Sequence, residues 1–190
     1  MSLPPRLIPL LKQFDDARDR LIKRLYDLSD AEYVWEPVAG CWNVHPRARC
    51  QTNMPRGKGE WVMDFHRPEP TPPPVTTIAW RMCHLTNGLL QRADYTTGTR
   101  SLSADDYEVS PGAQMALSSL ASATKTWHTV LVGMTDTDLD QVGRSQLPWG
   151  LDPTLPFLDI VWWVNQELLG HGAEIALLRD LYLHIEKSLL

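Results

Sequence analysis

Glu167 and His171 stand four residues apart in the stretch WWVNQELLGHGAEIALLRDLYL, residues 162 to 183. On a helix that spacing is about 400° of rotation and about 6 Å of rise, so both side chains point the same way, one turn apart. Val164, Leu168, Ile175 and Leu178 recur at helical intervals around them and mark the face an amphipathic helix turns toward a core. A carboxylate seldom enters an apolar interior unless something there neutralises it. A third candidate lies far away in the chain. His84 sits about 100° from Leu85 on a second periodic segment, at the border of that segment's apolar stripe. If the two segments pack side by side, two imidazoles and one carboxylate converge, a donor set suited to a divalent metal with an open coordination position. On spacing alone the pair also fits an ordinary helix-stabilising i,i+4 contact, and His84 a hydrogen-bonded core or surface histidine.

Four segments have the periodicity to position such residues. Leu7, Leu10, Leu11, Phe14, Leu21 and Leu25 set the first stripe, with LSD ending the helix near residue 28. The second helix follows the proline run, with Thr76 or Thr77 as its cap and Ile78, Met82, Leu85 and Leu89 as its stripe. The third covers about residues 111 to 133, with Pro111 in its first turn and Leu117, Leu120, Trp127, Val130 and Leu131 inward. The fourth carries Glu167 and His171 and is entered through DPTLPFLD. Between the first two, CWNVHPR and GEWVMDF alternate and are separated by Gly, Pro and polar residues, which predicts a small β-hairpin inserted in a long loop. Four amphipathic helices without a sustained strand pattern give an all-α four-helix bundle, where sites are built from side chains on facing helices.

A chain of 190 residues, 43% apolar and 22% charged, suffices for one domain spanning 1–190. A formal charge of -5, a pI near 5.6 and no Lys/Arg run argue against nucleic acid or an anionic membrane as partner. The N-terminus lacks the apolar core of a secretory signal and no stretch is long enough to span a bilayer, so the expected location is cytoplasmic. Cys41, Cys50 and Cys83 form neither an even disulfide set nor a CxxC pattern, and free thiols are expected. His45 and His66 lie in the insertion, whereas His128 and His184 read as solvated or packing residues.

Three stretches carry a family resemblance: YVWEPVAGCWNV, TTIAWRMCHLTN and ELLGHGAEIALLRDLY. The chain resembles the DinB-like (DinB/YfiT) superfamily of metal-binding four-helix bundles, and most of all the branch containing the mycothiol-dependent maleylpyruvate isomerase. The resemblance covers nearly the whole chain. It implies that His84, Glu167 and His171 ligate a divalent metal, zinc or nickel, and that homodimers are common among relatives. Many members have His at the position of Glu167, but the mycothiol-type branch has Glu. Members often carry His or Gln where this chain has Glu174, and the isomerase's further C-terminal domain has no counterpart here.

The activity implied is metal-dependent activation of a low-molecular-weight thiol for transfer to, or isomerisation of, an electrophilic small molecule. Trp80 and Asn87, one turn either side of His84, Trp163, one turn before Glu167, and Glu174 are the candidate substrate-binding residues expected to line the cavity. The alternatives are a metal-dependent hydrolase with Glu174 as base, and a non-catalytic metal- or ligand-binding stress-response bundle. The segment of about 42 to 75 is longer than a bundle connection needs and holds Trp42, Val44, Trp61, Val62 and Phe65, which suits a lid over the metal rather than a solvated tether.

Overall fold

A computed structural model describes residues 3–145 and 154–188, with side chains up to residue 185. Asp152 and Pro153, at the expected entry to the last helix, lie outside the described residues. Four long helices form the bundle: α1 (Ile8–Arg24), α3 (Ile78–Thr97), α4 (Ala113–Val132) and α6 (Phe157–Ser188). Single-turn helices α2 (Asp30–Tyr33) and α5 (Asp136–Leu139) follow α1 and α4. α3 packs against α4 and α6, and α1 against α6 and α4, so the four close a ring with α1 diagonal to α3. The packing of α3 beside α6 meets the condition on which convergence of His84 with Glu167 and His171 depends.

Most of the periodic positions enter the core, whereas Leu10 and Leu117 are only half-buried against it. Leu11, Phe14 and Leu21 of α1, Ile78, Met82, Leu85 and Leu89 of α3, and Leu120, Trp127, Val130 and Leu131 of α4 are buried. Thr77 caps α3, its hydroxyl accepting from the Trp80 amide at 3.2 Å. Two helix ends differ from the sequence expectation. α1 stops at Arg24, and Ser29 of the LSD stretch begins α2 by accepting from the Glu32 amide at 3.1 Å. α4 starts at Ala113, so Pro111 precedes the helix instead of sitting in its first turn. The reason is a cap from elsewhere: Asp30 Oδ1 accepts from the Ala113 amide at 2.8 Å.

The expected hairpin is present between α1 and α3. Strand β1 (Val44–Pro46) pairs antiparallel with β2 (Trp61–Met63), in the register Val44 to Met63 and Pro46 to Trp61. Trp42 donates its amide to Val75 O at 2.9 Å and accepts from Thr77 N at 3.0 Å, which stitches the insertion to the start of α3. The long arm between the strands is tied to the α3–α4 connection by Lys58 N donating to Tyr107 O at 2.8 Å. Beside it Gly57 has φ +104°, and a Cβ there would meet Val109 at 2.6 Å, so this approach of two loops requires glycine. Cys41, Cys50 and Cys83 are free, as expected. Among the described residues no helix is long and apolar enough to cross a membrane.

Candidate metal centre

The donors come from two facing helices. On α6 the stripe of Val164, Leu168, Ile175 and Leu178 is buried, and Glu167 and His171 lie on its margin, facing α3. Both are therefore half-buried instead of sealed in a dry core, and Glu167 lines a cavity. His84 meets it from α3. His84 Nε2 is 3.4 Å and His171 Nε2 3.2 Å from the same oxygen, Glu167 Oε2, and the two imidazoles are nearly perpendicular with ring centroids 4.9 Å apart. One donor atom from each residue falls within 4.8 Å of the others, so the cluster could hold a metal ion.

The surroundings fix both rings. Trp80, one turn before His84, stacks on it in near-parallel planes with centroids 5.0 Å apart. Trp80 is itself pinned, its Nε1 donating to Asp64 O at 2.7 Å and its rings packing against Trp42. His171 is held from behind: its Nδ1 is 2.7 Å from Glu174 Oε2 and 2.9 Å from Arg81 Nη1. Arg81 Nε in turn lies 3.1 Å from Glu174 Oε2. The ring nitrogen thus faces both an acceptor and a donor. When Nε2 is committed to a cation, Nδ1 must carry the proton and donates to Glu174, the carboxylate–histidine–metal arrangement that raises ligand basicity. Without a cation, Nε2–H can donate to Glu167 while Nδ1 accepts from Arg81.

Electrostatics favour the protonation states a divalent cation needs. Burial pushes the His84 imidazole below its usual range, more than Glu167 raises it, so the ring is neutral at pH 7. A third of its side chain stays accessible, but that surface opens into a cavity. Burial opposes ionisation of Glu167, yet the hydrogen bonds of His171 and His84 outweigh it and hold the carboxyl well below the usual carboxylate range. A neutral imidazole at His84 and an ionised carboxylate at Glu167, with His171 as the third donor, fit a divalent cation.

His84 and Glu167 face a cavity of about 640 Å³ between α3, α6 and the insertion. Trp80, His84, Asn87, Trp163 and Glu167 line it, joined by Asp64, Phe65, His66 and Arg67 of the insertion. Of the lining residues suggested by sequence, Glu174 is absent. One turn beyond His171, it meets the nitrogen that points away from Glu167 and so stands behind the site. Asn87 Oδ1 accepts from Gln91 at 2.7 Å. His45 is engaged by Asp64 at 2.8 Å, and His128 faces Asp15 at 3.5 Å.

Sequence reasoning missed Arg81, Arg92 and Gly88. Arg92 and Gly88 carried a readable signal, since both continue the His84 face at four-residue steps; nothing in the sequence marks Arg81.

The LLRD segment that follows the site is structural. Arg179 Nε donates to Glu32 Oε1 at 2.9 Å and its Nη1 to Arg24 O, while Arg24 pairs with Asp180. These contacts fasten the far half of α6 to α1 and α2.

Comparison of the chain with curated proteins and with solved structures gives no match. The sequence profile of the DinB superfamily matches residues 13–175, a span that includes all three donors. The helical bundle, its inserted hairpin and that match together establish that the chain belongs to the DinB superfamily.

Proposed function

We propose that the protein is a divalent-metal-dependent enzyme that activates a low-molecular-weight thiol for transfer to, or isomerisation of, an electrophilic small molecule. The observation that carries this reading is the placement of His84 and Glu167, two of the three clustered donors, on the wall of a cavity large enough for two small reactants. A divalent cation held by His84, Glu167 and His171 would supply Lewis acidity, keeping a bound thiol deprotonated and nucleophilic at neutral pH.

The chain's own residues do the rest. Trp80 fixes the plane of His84, and Glu174, itself beside Arg81, favours the His171 tautomer that leaves Nε2 free for a cation. Leu85, Leu89, Val164 and Leu168 present apolar walls that exclude water from the nucleophile. The insertion supplies the remaining wall through Met63 to Arg67 and gates entry of the electrophile. Glu174, turned behind His171, leaves the hydrolytic alternative without the base ascribed to it.

Turnover of epoxides and activated alkenes with a panel of small thiols, in zinc- or nickel-loaded and chelator-treated protein, tests the proposal. Activity that needs both thiol and metal supports it. Metal-dependent turnover indifferent to thiol points to hydrolysis, and a chelator effect on melting without any turnover points to a non-catalytic bundle.

A further inference from the structure

We propose that the small molecule received by this cavity carries a carboxylate, and that Arg92 is the residue that selects it. Arg92 lies two turns beyond His84 on the same face of α3, about 12 Å along the helix axis. It lines the cavity with only 5% of its surface accessible. Its Nη1 donates to Gly88 O at 2.7 Å, its guanidinium lies over Trp163 at 4.3 Å from the ring centroid, and its Nε is buried with no acceptor. No carboxylate among the described residues pairs with it. The other buried arginine among the described residues, Arg179, has Glu32, and the half-buried Arg56, Arg81 and Arg144 have Asp105, Glu174 and Asp138.

An unpaired buried cation is costly, and the Trp163 face offsets only part of that cost. Burial pushes the guanidinium down to about 9, with Glu167 as the one opposing charge. A divalent cation on His84, Glu167 and His171 would claim Glu167 for itself. With Arg56, Arg67 and Arg92 the cavity lining would then hold five positive charges against the three carboxylates of Asp64, Glu69 and Glu167, and the missing counter-charge is left to the ligand.

The space for that ligand runs along α3. Gly88 stands between His84 and Arg92 and also lines the cavity, so no side chain rises between the donor cluster and the guanidinium. A Cβ at Gly88 would come within 3.1 Å of Arg92 Nη1, so glycine also lets the guanidinium lie down on the helix. A single guanidinium matches a planar monoanion. Trp163 and the leucines suit an apolar body joined to the acid group.

This assignment rests on the proposed function only for what happens at the donor cluster. The test is calorimetric titration of the full-length protein, as purified and zinc-loaded, with 4-phenylbutyrate and the isosteric 4-phenylbutanamide. The acid is expected to bind at least about tenfold more tightly, the worth of a charge-assisted hydrogen bond. Arg92→Met should abolish the preference by weakening the acid alone, and Arg92→Lys should retain part of it. Equal affinities in the wild-type protein, or a preference that survives Arg92→Met, would overturn the assignment. Should Arg92→Met fail to fold, the wild-type ratio and Arg92→Lys still decide it. An acid preference in protein that takes up no zinc would leave Arg92 as assigned and remove the metal-centred function instead.

Discussion

Glu174 Oε2 lies 2.7 Å from His171 Nδ1, on the edge of the imidazole opposite the nitrogen that approaches Glu167 at 3.2 Å. A carboxylate there polarises the ring and aims its other nitrogen at the cluster. Glu174→Gln should therefore lower zinc affinity by about 10- to 100-fold while leaving the fold and the 1:1 stoichiometry intact. Competition against a chelator of known affinity measures this. An unchanged affinity would mean that Arg81 alone positions the ring.

A second expectation concerns the buried pair of Arg179 and Glu32, whose side chains are 11% and 3% accessible. Removing one partner strands the other in a poorly solvated place. Glu32→Ala should cost about 3 kcal/mol, a fall in Tm of about 6–12 °C for a domain of this size, without altering metal content. Thermal unfolding with matched zinc analysis checks both halves.

Acid should weaken the metal-free protein by a predictable route. Burial lowers the His84 pKa in the folded state, so below about 6.5 the unfolded chain takes a proton that the fold refuses. Stability is then full above that pH and is lost as the pH falls through it. Glu167, also depressed by its two imidazoles, adds a further loss below the ordinary carboxylate range. Metal affinity should fall over the same upper window, since two imidazoles must be neutral to bind. Tm measured in chelator from pH 8 to pH 4 should decline, and His84→Gln should flatten the limb near 6.5; a flat wild-type profile would contradict the burial of this ring.

Phe65 tests the insertion. Its ring packs 5.4 Å from Trp42 and forms part of the cavity wall. Phe65→Ala should raise KM for the electrophile several-fold with helix content and zinc content unchanged. Identical kinetics would show that the insertion plays no part in access.

The helices and the Glu167–His171 pair were legible because each rests on a local period. Leu11, Phe14 and Leu21, or Met82, Leu85 and Leu89, state their faces through spacing, and Glu167 with His171 are neighbours by helix geometry alone. The contribution of His84 needed one non-local fact, that α3 packs beside α6. What stayed hidden is what comes from other elements. The start of α4 is set by Asp30, some eighty residues earlier, and Arg81 reaches His171 across the α3–α6 interface. Glu174 was visible as a position but not as a role, because the choice between cavity wall and support depends on which ring nitrogen it meets. The insertion announced itself by length and aromatic content, whereas its contact with the cavity through Asp64 and Phe65 depends on Trp80 anchoring to the Asp64 carbonyl.

The most direct test of the central claim is zinc stoichiometry in the purified wild-type chain and in His84→Ala, Glu167→Ala and His171→Ala. A three-donor site has no spare ligand, so one zinc per chain is expected in the wild type and none in each variant, with helical circular dichroism preserved. Retention of one zinc per chain in all three variants would contradict the account.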